Sequence, residues 1–242
     1  MQHWIVDADA QALPNWIAAM PAAIVVDHLA PGLIPPDEPG ILWIRLRAGQ
    51  NLATALPFPA PGAGQLVMTT DAHVVSPLFF PGGDIGCLSV HGTINDVAVM
   101  GAKPLWLSAG FIIEEGFSLA DLDRIVQSMA CAAKAAGVPV VAGDTKVVER
   151  GKGDGLFITT TGIGVVAPGM AFSGRNARPG DAILVSGTLG DHGMAIMAAR
   201  ENLGFESPIV SDTAALHELI AAMRASGADI HVLRDPTRGG VA

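Results

Sequence analysis

Cysteine is scarce. Only Cys87 and Cys131 occur among 242 residues, each in an apolar segment, and their spacing matches neither a zinc site nor a secreted disulfide framework. They read as buried packing residues, and a reducing, cytoplasmic compartment is the default expectation. Charge is thin as well, at 15% of residues with a formal net charge of −9. An acidic balance with no basic-aromatic cluster argues against nucleic acid as a partner. Long hydrophobic runs are missing, although half the residues are hydrophobic. Each apolar run breaks at Pro, Gly or a charge well short of the ~18 residues that cross a bilayer, so no membrane partner is expected. The N-terminus has no basic stretch leading into an apolar one, so no secretory signal is visible. Tyrosine is absent altogether, whereas glycine occurs 29 times, mostly at the ends of apolar segments, as tight strand-to-helix junctions require.

The length suits one large domain or two ordinary ones, and the apolar content supports a core without disulfides or structural metal. Residues 1–60 are proline-rich and hold three of the four tryptophans. Pro21 interrupts the apolar run at 17–26, so little regular structure is expected there. From residue 64 the pattern sharpens. GQLVMTTDAHVV reads as a Thr/Val-rich strand, and the loop SPLFFPGGD leads into a helix over 85–100 with Asp84 as its cap. PLWLSAGFII at 104–113 is a strand. The next helix opens at Ser118, with Asp121 in the capping-box position, and stops at Gly137. Its apolar stripe is Leu122, Ile125, Val126, Met129 and Ala133. VPVVAGD and GLFITTTGIGVV are further strands. APGMAFSGRNARPGD reads as a connection to a second region: a strand at AILVSG, helices near 191–202 and 211–226, and a strand at ADIHVLRD. That region stops at TRGGVA, where another helix is expected to start, so the chain reads as truncated.

The familiar phosphate-binding loops are also missing. The nearest approach to Gly-x-x-x-x-Gly-Lys-Ser/Thr, at 169–176, ends in Arg175 and Asn176, and no Gly-x-Gly-x-x-Gly follows a strand to open a helix. Neither a P-loop nor a Rossmann site is expected. What is present is a set of aspartates at the ends of apolar elements or beside glycine: Asp71, Asp84, Asp96, Asp144 and Asp235. Each alone reads also as a turn or cap residue, Asp84 most of all. As a set, Asp71, Asp96, Asp144 and Asp235 can face a shared cleft. Carboxylates repel a triphosphate, by roughly 4 kcal/mol for two unit charges about 4 Å apart at an effective dielectric of about 20. Such a cleft therefore needs divalent cations, and Mg²⁺ takes one or two carboxylates, keeps waters and bridges phosphate oxygens.

The stretch GDTKVVERGKGDG, residues 143–155, carries six charged side chains and four glycines in thirteen positions. Lys146, two residues past Asp144, projects to the same side of an extended chain and supplies a positive partner. The segment reads as a flexible loop closing over phosphates, although Arg150 and Lys152 read also as an exposed charged hairpin. Asn95 either orients a metal-bound water or caps a turn. His73, His91 and His192 lack metal-binding spacing and read as packing or surface residues.

MTTDAHVVSPLFFPGGDIG, NDVAVMGAKPLWLS, VAGDTKVVERGKGDGLFITTTGIGVV and RPGDAILVSGTLGDHGMAIM, closing with RDPTRGG, together resemble the HypE family of hydrogenase maturation. These are carbamoyl dehydratases of the ATP-using aminoimidazole-ribonucleotide-synthetase (PurM-like) superfamily. The resemblance covers about residues 53–242. FPGGDIG and GDTKVVERGKGDG are specific to this family, whereas Asn-Asp before Met-Gly is shared across the superfamily. The resemblance implies an α+β fold. A PurM-like, β-rich domain that dimerises and binds ATP would span 53–166, behind a divergent or loosely structured segment 1–52. A linker over 167–180 would lead to an incomplete α/β PurM-like C-terminal domain over 181–242.

The same resemblance implies ATP and Mg²⁺ as cofactors. As partners it implies a second copy in a homodimer, a carbamoyltransferase, and the iron-centre scaffold complex of hydrogenase maturation. Family members take a carbamoyl group on a C-terminal cysteine, phosphorylate its oxygen with ATP and release the phosphate. The product is a thiocyanate, the source of the cyanide ligands on the iron of [NiFe] hydrogenase. By resemblance, Asp71, Asp96 and Asp235 hold Mg²⁺ and the phosphates, and Asn95, Gly143 and Thr145 belong to the nucleotide site. Asp144 and Lys146 lie beside the transferring phosphoryl group, Lys146 stabilising charge or moving a proton.

Two stretches depart from the family pattern. QNLATALPFP puts Asn51 and Leu52 where an acidic metal-binding motif is expected, and residues 1 to about 50 do not resemble the family, as a divergent or frame-shifted start would produce. The rest of the second domain and its terminal cysteine are missing, and Cys87 and Cys131 fall within predicted helices, so impaired dehydration is expected. Two other readings stay open. One is another superfamily enzyme, such as selenophosphate synthetase or thiamine-phosphate kinase, against which FPGGDIG and ERGKGDG argue. The other is a non-catalytic dimerising module that binds maturation partners.

Overall fold

A computed structural model describes residues 64–168, 170, 172–201 and 209–236. The expectations for residues 1–52, Asn51 and Leu52 among them, lie outside the described residues. The first region runs through strand β1 (Gln65–His73), a short hairpin of β2 (Phe79–Phe80) and β3 (Gly83–Asp84), helix α1 (Ile85–Val99) and strand β4 (Ala102–Glu114). Helix α2 (Leu119–Ala136) and strands β5 (Val140–Val148) and β6 (Leu156–Val166) complete it. The second region contributes helices α3 (Asp191–Arg200) and α4 (His217–Ala225).

The four long strands form one sheet in the order β1-β6-β4-β5. β4 and β5 are parallel and the other pairs antiparallel, because α2 carries the chain back across the sheet between β4 and β5. Strict alternation along β6, where every second residue from Leu156 to Val166 is buried, marks one face as the core side. α1 and α2 cover that face. Ile85, Val90, Ile94, Leu107, Ile125 and Ile158, each 0–1% exposed, form its centre. The stripe read from α2 is buried throughout, with Ala132 in addition. Ser118 caps this helix by accepting the Asp121 N–H, and Gly137 ends it in the left-handed conformation at φ 65°.

Glycines set how closely these layers approach. A Cβ on Gly86 would lie 2.2 Å from the Ile125 carbonyl oxygen, and one on Gly164 would lie 2.4 Å from a Val97 methyl. α1 therefore sits against both α2 and β6 at a distance that side chains would forbid. The opposite face of the sheet is open. Leu66, Met68 and Ile112 are 57%, 72% and 42% exposed there.

The structure corrects several expectations. Residues 76–84 are not all loop, since β2 and β3 pair within them. Residues 143–148 belong to strand β5, and only the turn that follows is non-strand. Glu114 holds that turn: its carboxylate accepts the Gly151 N–H at 2.6 Å and the Gly155 N–H at 3.0 Å. Cys131 is exposed and Cys87 half-buried, so Cys131 is not a core residue. The predicted strands AILVSG and ADIHVLRD do not form. Ile183 and Leu184 are 82% and 85% exposed, and among the described residues no strand pairs with them, so their backbone lacks the ladder a strand requires.

The helix expected from Ser211 starts only at His217. Residues Ser211–Leu216 form instead an irregular strap along α1, because their backbone groups bond to the first region. The Ser211 N–H donates to the Pro81 carbonyl at 2.8 Å, and Asn95 takes both the Ala214 carbonyl and the Leu216 N–H. Gly82, at φ +93°, gives the strap its seat: a Cβ there would meet Ser211 N and O at 2.7 Å. The two glycines of PGGD thus receive the second region, while Asp84 caps α1 by accepting the Gly86 and Cys87 N–H groups.

Candidate functional site

Along β1, Thr69, Asp71 and His73 alternate onto the side that faces α1. On α1, Gly92 and Asp96 lie one turn apart and look back at them. The Thr69 hydroxyl donates to Asp96 Oδ2 at 3.1 Å. A Cβ on Gly92 would lie 3.5 Å from Asp71 Oδ2 and 3.2 Å from His73 Cε1, so the missing side chain leaves room for both. Asp71 and Asp96 therefore flank one groove between β1 and α1. Asp71 Oδ1 accepts the Ala72 N–H at 2.9 Å, and its side chain remains 28% exposed.

Behind Asp71 runs a buried polar network. Thr160, paired with Asp71 across β1 and β6, donates its hydroxyl proton to the Ser89 carbonyl at 3.0 Å. A hydroxyl has one proton to give. Hence the 2.5 Å contact with Thr93 is a donation from Thr93, and the 3.2 Å contact with His73 Nε2 is a donation from the imidazole. His73 thus carries its proton on Nε2, 3.6 Å from Asp71 Oδ2. Burial pushes the His73 pKa down, with the Asp71 carboxylate opposing.

Asp144 and Lys146 lie elsewhere in the chain. Asp71 pairs with Thr160, Thr160 with Ala109 and Ala109 with Gly143. The two acidic positions are thus level along the strands but three strand spacings apart, roughly 14 Å. Gly143 and Thr145 share the register of Ala109 and Phe111 on the helix-covered side, whereas Asp144 and Lys146 pair with Gly110 and Ile112 on the open face. Lys146 Nζ lies 3.0 Å from Asp144 Oδ2, both side chains being 69% exposed. Such an exposed pair adds little stability and leaves both groups free to meet a ligand. Within one chain, then, Asp71 and Asp96 converge at one edge of the sheet, and Asp144 with Lys146 sits at the other edge on the other face.

The remaining expected residues are placed as follows. Asn95 turns away from Asp96, its amide taken at both ends by the strap at 2.9 and 2.8 Å. Asp235 is half-buried in the irregular segment after α4. Among the described residues no group of three His, Cys, Asp or Glu side chains could hold a metal ion, so Asp71, Asp96 and Asp235 do not form a three-carboxylate centre. Asp71 and Asp96 alone offer the hard oxygen donors that Mg²⁺ takes one or two at a time, waters and phosphate oxygens completing its shell. The donor set fits that ion. Thr69, the Thr160 network and Glu114 escaped the sequence reading, although Thr69 and Asp71 stand at the i, i+2 spacing of one strand face.

Comparison with known proteins decides the family. The AIR synthase related protein N-terminal domain matches residues 52–166 and its C-terminal domain residues 178–242. Carbamoyl dehydratase HypE of Cupriavidus necator is 66% identical over 197 residues, covering 81% of this chain and 55% of that protein. The chain belongs to the HypE family. Its fold agrees: a crystal structure of hydrogenase maturation protein HypE in complex with ATP is 53% identical with a TM-score of 0.73, covering 79% of this chain and 56% of that one. A crystal structure of a HypE–HypF complex is 61% identical with a TM-score of 0.71, covering 73% of this chain and 58% of that one. The chain spans about half the length of the curated relatives it matches. The α+β architecture and the PurM-like ancestry implied by the motifs are those of the HypE family. No helix among the described residues is long and apolar enough to cross a membrane.

Proposed function

We propose that this chain carries the ATP-binding part of a HypE-type carbamoyl dehydratase, serving [NiFe] hydrogenase maturation. The observation that carries the reading is the convergence of Asp71 and Asp96, from separate elements, on one groove, with Thr69, on the same strand face as Asp71, donating to Asp96. In this reading Asp71 and Asp96 hold Mg²⁺, which neutralises phosphate charge when bound, and Asp235 adds a contact from the second region. Gly143 leaves the β5 backbone close to the nucleotide and Thr145 lies on the same side. This reading takes residues 53–166 for nucleotide and dimer, 167–180 for the linker and 181–242 for the second region.

The chemistry joins an ATP γ-phosphoryl group to the oxygen of an S-carbamoyl cysteine, releasing ADP and one N–H proton. The C–O bond then breaks, phosphate departs with the second N–H proton lost, and an S-bound cyano group remains. An amide oxygen leaves poorly and a phosphate ester well, so positioning and charge neutralisation are the protein's tasks. Lys146 offers a cation to the transferring phosphoryl group, and Asp144, 3.0 Å from its amine, aims it. Cys87 and Cys131 sit inside α1 and α2 and are not the acceptor thiol. A carbamoyltransferase supplies the group and an iron-centre scaffold receives the cyano product; a relative in complex with HypF supports the first.

A second copy supplies the other half of the site. The open sheet face, with Leu66, Met68 and Ile112 exposed, fits a two-fold interface that brings the β5 edge of one protomer to the β1 edge of its partner. Mixed dimers test this. Asp71→Asn and Lys146→Ala each cripple both sites of their own homodimer, but a mixed dimer regains one intact composite site. MgATP binding restored on mixing supports the reading. No recovery in a verified mixed dimer contradicts it.

A further inference from the structure

Asn95 is engaged with the second region. Its Nδ2 donates to the Ala214 carbonyl at 2.9 Å and its Oδ1 accepts the Leu216 N–H at 2.8 Å. Both ends of the amide are therefore used on backbone more than a hundred residues away. One turn earlier, His91 Nδ1 meets the Thr213 hydroxyl at 3.1 Å, so His91 and Asn95 form one stripe that grips the strap. Gly92 and Asp96 form the neighbouring stripe, about 100° around the helix, and face Thr69 and Asp71. A single turn of α1 is thus held on one side by the second region and presents a site carboxylate on the next. The strap is seated at its other end as well, by the Ser211–Pro81 hydrogen bond and by His192, whose Nδ1 lies 2.9 Å from the Ser211 hydroxyl.

The geometry points to Asn95 as a positioning residue: by clamping Ser211–Leu216 onto α1 it fixes where Asp96 stands relative to Asp71, and so couples seating of the strap to occupancy of the groove. The inference rests on the nucleotide reading above. An amide is required because the strap offers a carbonyl and an N–H together, and Asn alone among side chains of this length supplies a donor and an acceptor in one plane. By linkage, whatever factor strap release costs in nucleotide affinity, bound nucleotide must return to the strap as protection.

The test uses the full chain, its Asn95→Ala variant and Thr213→Val, which removes the strap's hydroxyl contact with His91 while leaving every residue of α1 unchanged. Amide exchange at Ala214–Leu216 is measured with and without MgATP, and MgATP affinity is measured by calorimetry. Both variants are expected to speed strap exchange and to weaken MgATP by about tenfold. In the wild type, MgATP slows strap exchange by a similar factor. A loosened strap with unchanged affinity overturns the coupling, as does weakened affinity in Asn95→Ala with the strap still protected, which would put Asn95 on the nucleotide itself. A wild-type chain that binds no MgATP overturns the nucleotide reading and the coupling with it, while the apo exchange rates still report whether Asn95 holds the strap.

Discussion

At the scale of single residues, the hydrogen-bond network behind Asp71 makes a claim that needs no ligand. Thr160 spends its one proton on the Ser89 carbonyl, which forces His73 to donate from Nε2. Nitrogen NMR of labelled protein at neutral pH should find His73 protonated at Nε2; protonation only at Nδ1 contradicts the network. The histidines also set a pH dependence with two opposite signs. His73, His91 and His192 have pKa values lowered below 6.5, burial being the main cause, with a nearby Asp opposing in each case. The unfolded chain binds their protons more readily, so their contribution is present above about pH 6.5 and is lost as pH falls from there through their lowered values. His231 is the reverse. Hydrogen bonds to Asp181 and Asp229 raise its pKa, so its contribution is full below 6.5 and disappears as pH climbs through the raised value. Melting temperature should therefore fall on acidification from pH 7 toward 5. The His231→Gln variant should lose the wild type's decline above pH 6.5, and an unchanged alkaline limb would show that the Asp181–His231 clasp is not made.

Elements explain which parts of the fold were legible. The helix α2 announced itself because its cap, stripe and stop are all local: Ser118, Leu122 through Ala133, and Gly137 need no partner to be recognised. β1 and β6 were readable from Thr/Val content and alternation. The strap was not, because LHELI continues a helical pattern backward into SDTAAL, and the groups that divert its backbone, Asn95 and Pro81 among them, are distant in sequence. AILVSG failed for the complementary reason: its composition is that of a strand, but strand formation depends on a neighbour. The site divides the same way. Sequence marked Asp71, Asp96, Asp144 and Lys146, but strand order and face, which separate the first pair from the second, are tertiary facts. Two predictions belong here. Gly164→Ala drives a Cβ to 2.4 Å from Val97 and 2.7 Å from the Lys103 carbonyl, and should cost about 1–3 kcal/mol in chemical denaturation; a neutral result would mean α1 can move off β6. Glu114→Gln removes the charge that Gly151 and Gly155 bind, and their amides should exchange faster while β5 stays protected.

For the molecule as a whole, the sheet is covered on one face and bare on the other, and the acidic groove and the Lys146 edge lie on opposite sides of it. A monomer cannot join them. Met68→Lys, at a position 72% exposed on the bare face, should turn the proposed dimer into a monomer in light scattering without lowering the melting temperature of the isolated fold. The most direct test of the central claim, that Asp71 and Asp96 meet a triphosphate through Mg²⁺, is a calorimetric titration of ATP into the wild type and into Asp71→Asn, each with Mg²⁺ and with EDTA. The account predicts binding that depends on Mg²⁺ and weakens by at least about tenfold in the variant; equal affinity in both proteins, or binding indifferent to EDTA, would contradict it.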